Sequence, residues 1–81
     1  MSTVTVQLFA AYAEMLGGTA IEIPLAPGST VSDLIDNIRL LPGASSLPHS
    51  PRVAINRSFA CADQLVDSRD EIALIPPVAG G

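Results

Sequence analysis

One segment limits the fold more than any other. Val31, Leu34, Ile35 and Ile38 recur at i, i+3, i+4 and i+7, the single apolar stripe of an amphipathic helix. Thr30 stands where it can cap the first turn, with Asp33 three residues on in a capping-box position, and Pro42-Gly43 stops the helix. Such a stripe needs an apolar surface to lie on, and the flanking sequence supplies one in period two. Val4, Val6 and Leu8 alternate with Thr3, Thr5, Gln7 and Phe9, which reads as a half-buried strand over residues 3–9. Ile21, Ile23 and Leu25 turn inward in a second strand. Pro24 cannot donate a ladder hydrogen bond, so that strand belongs at an edge.

The remaining segments complete the pattern. Residues 10–16 are mostly good helix formers and run into Gly17-Gly18, so a short helix closed by a left-handed glycine is expected. Residues 42–51, with three prolines, three serines and a glycine, read as an exposed loop. Short strands follow over residues 52–55 and 57–61 about a turn at Asn56-Arg57, then a turn over residues 67–70. The last strand covers residues 71–75, with Ile72 and Leu74 facing in. The order β, short α, β, long α, β, β, β defines an α+β domain: a mixed sheet covered on one face by one main helix plus a short one.

Composition narrows the partners. At 81 residues and 48% hydrophobic, the chain is one small folded domain, not a disordered acidic tail. Eight Asp and Glu face four Arg and no Lys, and the net charge of −4 argues against nucleic acid and for a basic protein surface. A lone Cys61 excludes a disulfide framework and a multi-thiolate metal site, and no metal ligand set is expected. Without a Lys, His or second Cys nearby in sequence to activate it, Cys61 reads as a small buried hydrophobe. His49 reads as a surface residue of the proline-rich loop. The start at Met1-Ser2-Thr3-Val4 shows no signal peptide, and no apolar run is long enough to span a membrane, so a cytoplasmic location is expected.

Two features remain outside this core. Phe9 alternates onto the polar face of the first strand, and Ala73 and Ile75 do the same in the last. If the two strands are neighbours, Phe9 and Ile75 form an apolar patch on the helix-free side, either scattered surface hydrophobes or a partner surface. The second feature is the end, Pro76-Pro77-Val78-Ala79-Gly80-Gly81. Two prolines favour polyproline II, and six residues reach roughly 20 Å beyond the fold. The side chains then shrink to nothing, which suits a backbone threading a narrow channel. A frayed terminus is the alternative; stiff prolines, a graded taper and the final glycine pair favour function. The division is residues 1–75 for the domain and 76–81 for the tail.

The segment Ile75-Pro76-Pro77-Val78-Ala79-Gly80-Gly81, preceded by Asp70-Glu71-Ile72-Ala73, closely resembles the end of the molybdopterin synthase small-subunit (MoaD) family of ubiquitin-like sulfur carriers. Leu8-Phe9-Ala10, Glu14-Met15-Leu16-Gly17 and Val53-Ala54-Ile55-Asn56 extend the likeness over most of the chain. The resemblance implies a β-grasp fold with the first and last strands parallel neighbours. Two positions depart from the family pattern. Arg69 stands where a Gly usually precedes Asp-Glu, which strains the turn if φ is positive there. Ala13 stands where an Arg commonly precedes the helix Glu.

A terminal carboxylate is ionised at neutral pH and must be activated before it can carry a group. The chain has no Walker-type phosphate loop and no GxGxxG, so ATP would be used in trans and no cofactor bound. The resemblance implies three partners: an ubiquitin-activating-like adenylyltransferase, a sulfur donor protein, and the molybdopterin synthase large subunit. Gly81 would become an acyl-adenylate, then a thiocarboxylate, and give its sulfur to a cyclic pyranopterin precursor to build the dithiolene. This chain would be the non-catalytic, sulfur-donating subunit of that complex. By the same reading Gly80 gives clearance, and Pro76, Pro77, Val78 and Ala79 guide the tail. Phe9, Phe59 and Ile75 are docking candidates, with a core position equally open for Phe59. Asp67, Asp70 and Glu71 form either a solvated turn or a contact to basic residues. Three other readings share the fold: a thiamin thiazole sulfur carrier, a ubiquitin-like protein modifier, and a β-grasp interaction module whose tail is only flexible.

Overall fold

The computed structural model describes residues 2–48 and 51–76. Strand β1 (Ser2–Leu8) leads into helix α1 (Ala10–Leu16), strand β2 (Ala20–Leu25) and helix α2 (Val31–Arg39). A 3-10 turn (Ala44–Ser46) precedes strands β3 (Arg52–Ile55), β4 (Ser58–Phe59) and β5 (Ile72–Ile75). The strands form one sheet in the order β2-β1-β5-β3-β4. β1 and β5 lie parallel at its centre, in the register Val6–Ile72 and Leu8–Leu74, and the other pairs are antiparallel. This is the β-grasp arrangement, and β2, carrying Pro24, is an edge strand.

The period-two and period-3.6 patterns meet in the core. Val4, Val6, Leu8, Ile23, Leu25, Val53, Ile55, Ile72 and Leu74 from the sheet are all buried, and Val31, Leu34 and Ile38 of α2 close over them. The N-terminus of α2 is fixed by the capping box. Asp33 N–H donates to Thr30 Oγ1 at 3.3 Å, and Thr30 N–H donates to Asp33 Oδ2 at 2.9 Å. A cap of this kind contributes roughly 0.5–2 kcal/mol. Two further first-turn donors are met from outside the helix. Val31 N–H reaches Gln64 O and Ser32 N–H reaches Ala62 O, both at 2.9 Å, which anchors the chain between β4 and β5. α1 ends as expected, at Gly17 with φ 84°, and the amides of Gly17 and Gly18 both bond Ala13 O.

Four expectations need correction or narrowing. The loop over residues 42–51 is not simply exposed. Its 3-10 turn places Ala44 and Leu47 on one side, and both are buried against α1 and α2. Gly43 makes the entry at φ 86°, and a Cβ there would run into the Met15 carbonyl oxygen. The strand expected over residues 57–61 shrinks to Ser58–Phe59, because Arg57 belongs to the turn and the chain leaves the sheet to meet α2. Arg69 brings no strain, since Asn56 and Arg57 alone among described non-glycine residues have positive φ. Cys61 is exposed, because the short β4 ends before it could turn inward. His49 lies outside the described residues.

Candidate functional site

The alternation that buries Ile72 and Leu74 sends Ala73 and Ile75 to the opposite, helix-free face. Because β1 runs parallel to β5, Phe9 reaches the same end of that face as Ile75. β3 contributes Ala54, the register partner of both Ala73 and Phe59. The result is an open groove of about 290 Å³, with Phe9 and Ile75 on one side, Phe59 on the other, and Ala54 and Ala73 between. Gln7, Arg57 and Glu71 complete its lining. Phe9 is 46% exposed and Phe59 65% exposed, so neither belongs to the core. Sequence reasoning singled out Phe9, Phe59 and Ile75, and the fold brings them together in one groove. Pro76 follows Ile75 directly and is half-buried, so the chain leaves β5 beside this groove. Pro77, Val78, Ala79, Gly80 and Gly81 lie outside the described residues.

Charged groups sit at the groove edges. The Arg57 guanidinium lies 4.0 Å from Glu71, an exposed pair. Arg52 stands 5.1 Å over the centre of the Phe59 ring, within cation–π range. Sequence reasoning missed Arg52, Ala54 and Arg57 as part of this site. The signal was there in β3: if Val53 and Ile55 point inward, Arg52 and Ala54 must point outward.

The turn that feeds β5 is braced by its own side chains. Asp67 Oδ1 accepts from Arg69 N–H at 2.8 Å and from Arg69 Nε at 3.3 Å, and Asp70 Oδ2 accepts from Asp67 N–H at 2.8 Å. The Arg69 backbone N–H, aided by its guanidinium, holds the Asp67 carboxyl below its ordinary value. Asn56 links this turn to the β3–β4 hairpin. Its amide donates to Asp70 Oδ1 at 3.1 Å, while its carbonyl oxygen accepts from Glu71 N–H at 3.0 Å. Asp67, Asp70 and Glu71 are thus engaged within the fold. Among the described residues no three His, Cys, Asp or Glu gather where they could hold a metal ion. No described helix is long and apolar enough to cross a membrane.

These features can be set against known proteins. Residues 6–81 match the ThiS family. A molybdopterin synthase sulfur carrier subunit from Dictyostelium discoideum is 38% identical over 78 residues, covering 91% of this chain and 91% of that protein. SAMP1 from Haloferax volcanii superposes with a TM-score of 0.83 at 28% identity, covering 99% of this chain and 100% of that one. A complex of subunits 1 and 2 of the molybdopterin-converting factor from Helicobacter pylori contains the same fold. There the TM-score is 0.70 at 20% identity, with 98% of this chain and 99% of that one covered. By the match over residues 6–81 and the identity along nearly its whole length, the chain belongs to the ThiS family, with molybdopterin synthase sulfur carrier subunits among its relatives.

Proposed function

We propose that this protein is the sulfur carrier of a molybdopterin synthase. The observation that carries the reading is the position of the groove: the parallel β1–β5 pair sets Phe9 and Ile75 beside the point where Pro76 leaves the sheet. A partner seated on this face therefore receives the tail next to its docking surface. In this reading an ubiquitin-activating-like adenylyltransferase joins the Gly81 carboxylate to AMP with release of pyrophosphate. A sulfur donor protein then supplies the sulfur that displaces AMP and leaves a thiocarboxylate. The large subunit takes the tail into its own active site, where the sulfur passes to the cyclic pyranopterin precursor and Gly81 returns to a carboxylate. Pro76, Pro77, Val78 and Ala79 guide the tail, and Gly80 lets the backbone pass closely. Phe9, Phe59 and Ile75 supply the apolar contact. The acid–base groups belong to the partners, and the reaction runs in the cytoplasm.

Intact-mass measurement after incubation with the activating enzyme, ATP and a sulfur donor tests this directly. Exchange of one oxygen for sulfur, mapped to the C-terminal peptide, is the expected result; an unchanged mass in all three components overturns the carrier reading. The likeness to SAMP1, a small archaeal modifier protein, supports a second reading in which Gly81 is joined to an amine of another protein. That reading expects covalent conjugates in place of the sulfur exchange.

A further inference from the structure

Two positive side chains gather near Phe59 on the helix-free face of an acidic chain. The protein carries eight Asp and Glu and four Arg; one of those arginines, Arg57, lines this groove, and a second, Arg52, stands over the Phe59 ring at its edge. Arg57 is matched by Glu71 at 4.0 Å. Arg52 has no carboxylate partner among the described residues; its contact there is the Phe59 ring, 5.1 Å away. In the β3–β5 register Arg52 faces Ile75, the residue just before Pro76. A cation without a carboxylate partner among the described residues thus stands at the edge of the apolar patch, in register with the last residue of β5.

We propose that Arg52 is a specificity residue of the docking face, receiving a carboxylate that the large subunit presents next to a large apolar side chain. The inference rests on the sulfur-carrier reading above. The cation–π contact with Phe59 steadies the guanidinium before binding, and its N–H donors can grip a carboxylate with two bonds. Docking removes water from Phe59 and Ile75, so the ion pair forms where it is least screened. The apolar neighbour of that carboxylate enters between Phe9 and Phe59, where the small side chains of Ala54 and Ala73 leave room for it. The charge of the whole chain draws a basic partner from a distance, whereas the contact at the groove is with an acid.

Isothermal titration of the full-length chain into the large subunit, at low and high salt, tests the assignment. Arg52→Gln is expected to weaken binding about tenfold at low salt and Arg52→Glu about a hundredfold, with both losses shrinking at high salt. Arg52→Lys keeps the point charge without the fork and falls between wild type and Arg52→Gln. Arg69→Gln, in the turn before β5, leaves the affinity unchanged. Thermal unfolding of each variant separates lost binding from lost folding. Wild-type affinity in Arg52→Gln, with Phe9→Ala still weakened, overturns the role of Arg52 and leaves the carrier reading standing. So does a loss in Arg52→Gln that does not depend on salt. Absence of any binding by the wild-type chain overturns both.

Discussion

The two faces of the sheet are built from the same strands and do opposite work. On the covered face Val4, Val6, Leu8, Val53, Ile55, Ile72 and Leu74 form a layer of large aliphatic side chains, each almost without solvent contact. On the open face the same strands carry Thr3, Thr5, Gln7, Ala54 and Ala73, with Phe9 and Phe59 standing out into solvent. A domain of this size gains only a few kcal/mol beyond its entropy cost. The covered face supplies that margin. Apolar area on the open face adds little to folding and so remains free for a partner.

The widest test of this division compares one buried and one exposed side chain. Leu74→Ala removes a fully buried residue of the central strand and should cost about 2–5 kcal/mol, read as a loss of urea or thermal stability. Phe9→Ala, a larger truncation, should change stability by less than about 1 kcal/mol because Phe9 is 46% exposed. Its affinity for the large subunit should fall about tenfold or more. A Phe9→Ala protein as destabilised as Leu74→Ala would mean that the open face is part of the core, and the comparison would collapse.

A middle-sized effect lies in the hairpin that carries Phe59. Asn56 and Arg57 occupy the left-handed region at φ 52° and 72°, the requirement of a two-residue type I′ turn. Asn accepts that conformation at small cost, whereas Arg pays the crowding of its Cβ. Arg57→Gly should therefore raise stability by about 0.5–1 kcal/mol, even with its exposed ion pair to Glu71 lost. Thermal unfolding would show it, and a decrease would mean that the Arg57 side chain holds the hairpin more strongly than its exposure suggests. An Arg kept at a costly backbone position on the open face is what a recognition surface would tolerate and a core would not.

Legibility in the sequence followed the same division. Periodicity gave the helix stripe, the capping box, the edge strand and the inward residues of β1 and β5, because each rests on local spacing that burial enforces. The patch at Phe9 and Ile75 was readable for the same reason: alternation places a residue on one face or the other. What local spacing could not give was the partner of each element. Ala44 and Leu47 are buried against α1, far back in the chain, as well as against the adjoining α2, and Cys61 is exposed because the chain departs to cap α2. Arg52 became part of the site only when β3 was laid beside β5.

Among the described residues the covered side holds one buried side-chain polar atom without a hydrogen bond, and it yields the smallest prediction. Tyr12 of α1 is 3% exposed, and its hydroxyl has no hydrogen-bond partner among the described residues. Burial pushes its pKa above the ordinary value near 10 by disfavouring the phenolate. The sign follows from linkage: below pH ~10 the hydroxyl is neutral in both states, and above it the unfolded chain ionises first. Stability therefore falls as pH rises from the unfolded value through the raised folded value. Tyr12→Phe should abolish that alkaline loss, and at neutral pH it should be neutral or stabilising by up to about 1 kcal/mol, since a buried hydroxyl without a partner is removed and the ring is kept. Unfolding curves at pH 7 and pH 11 for both proteins would check it. A clear loss of stability in Tyr12→Phe at neutral pH would mean that the hydroxyl has a partner, so that even the covered face keeps one polar contact.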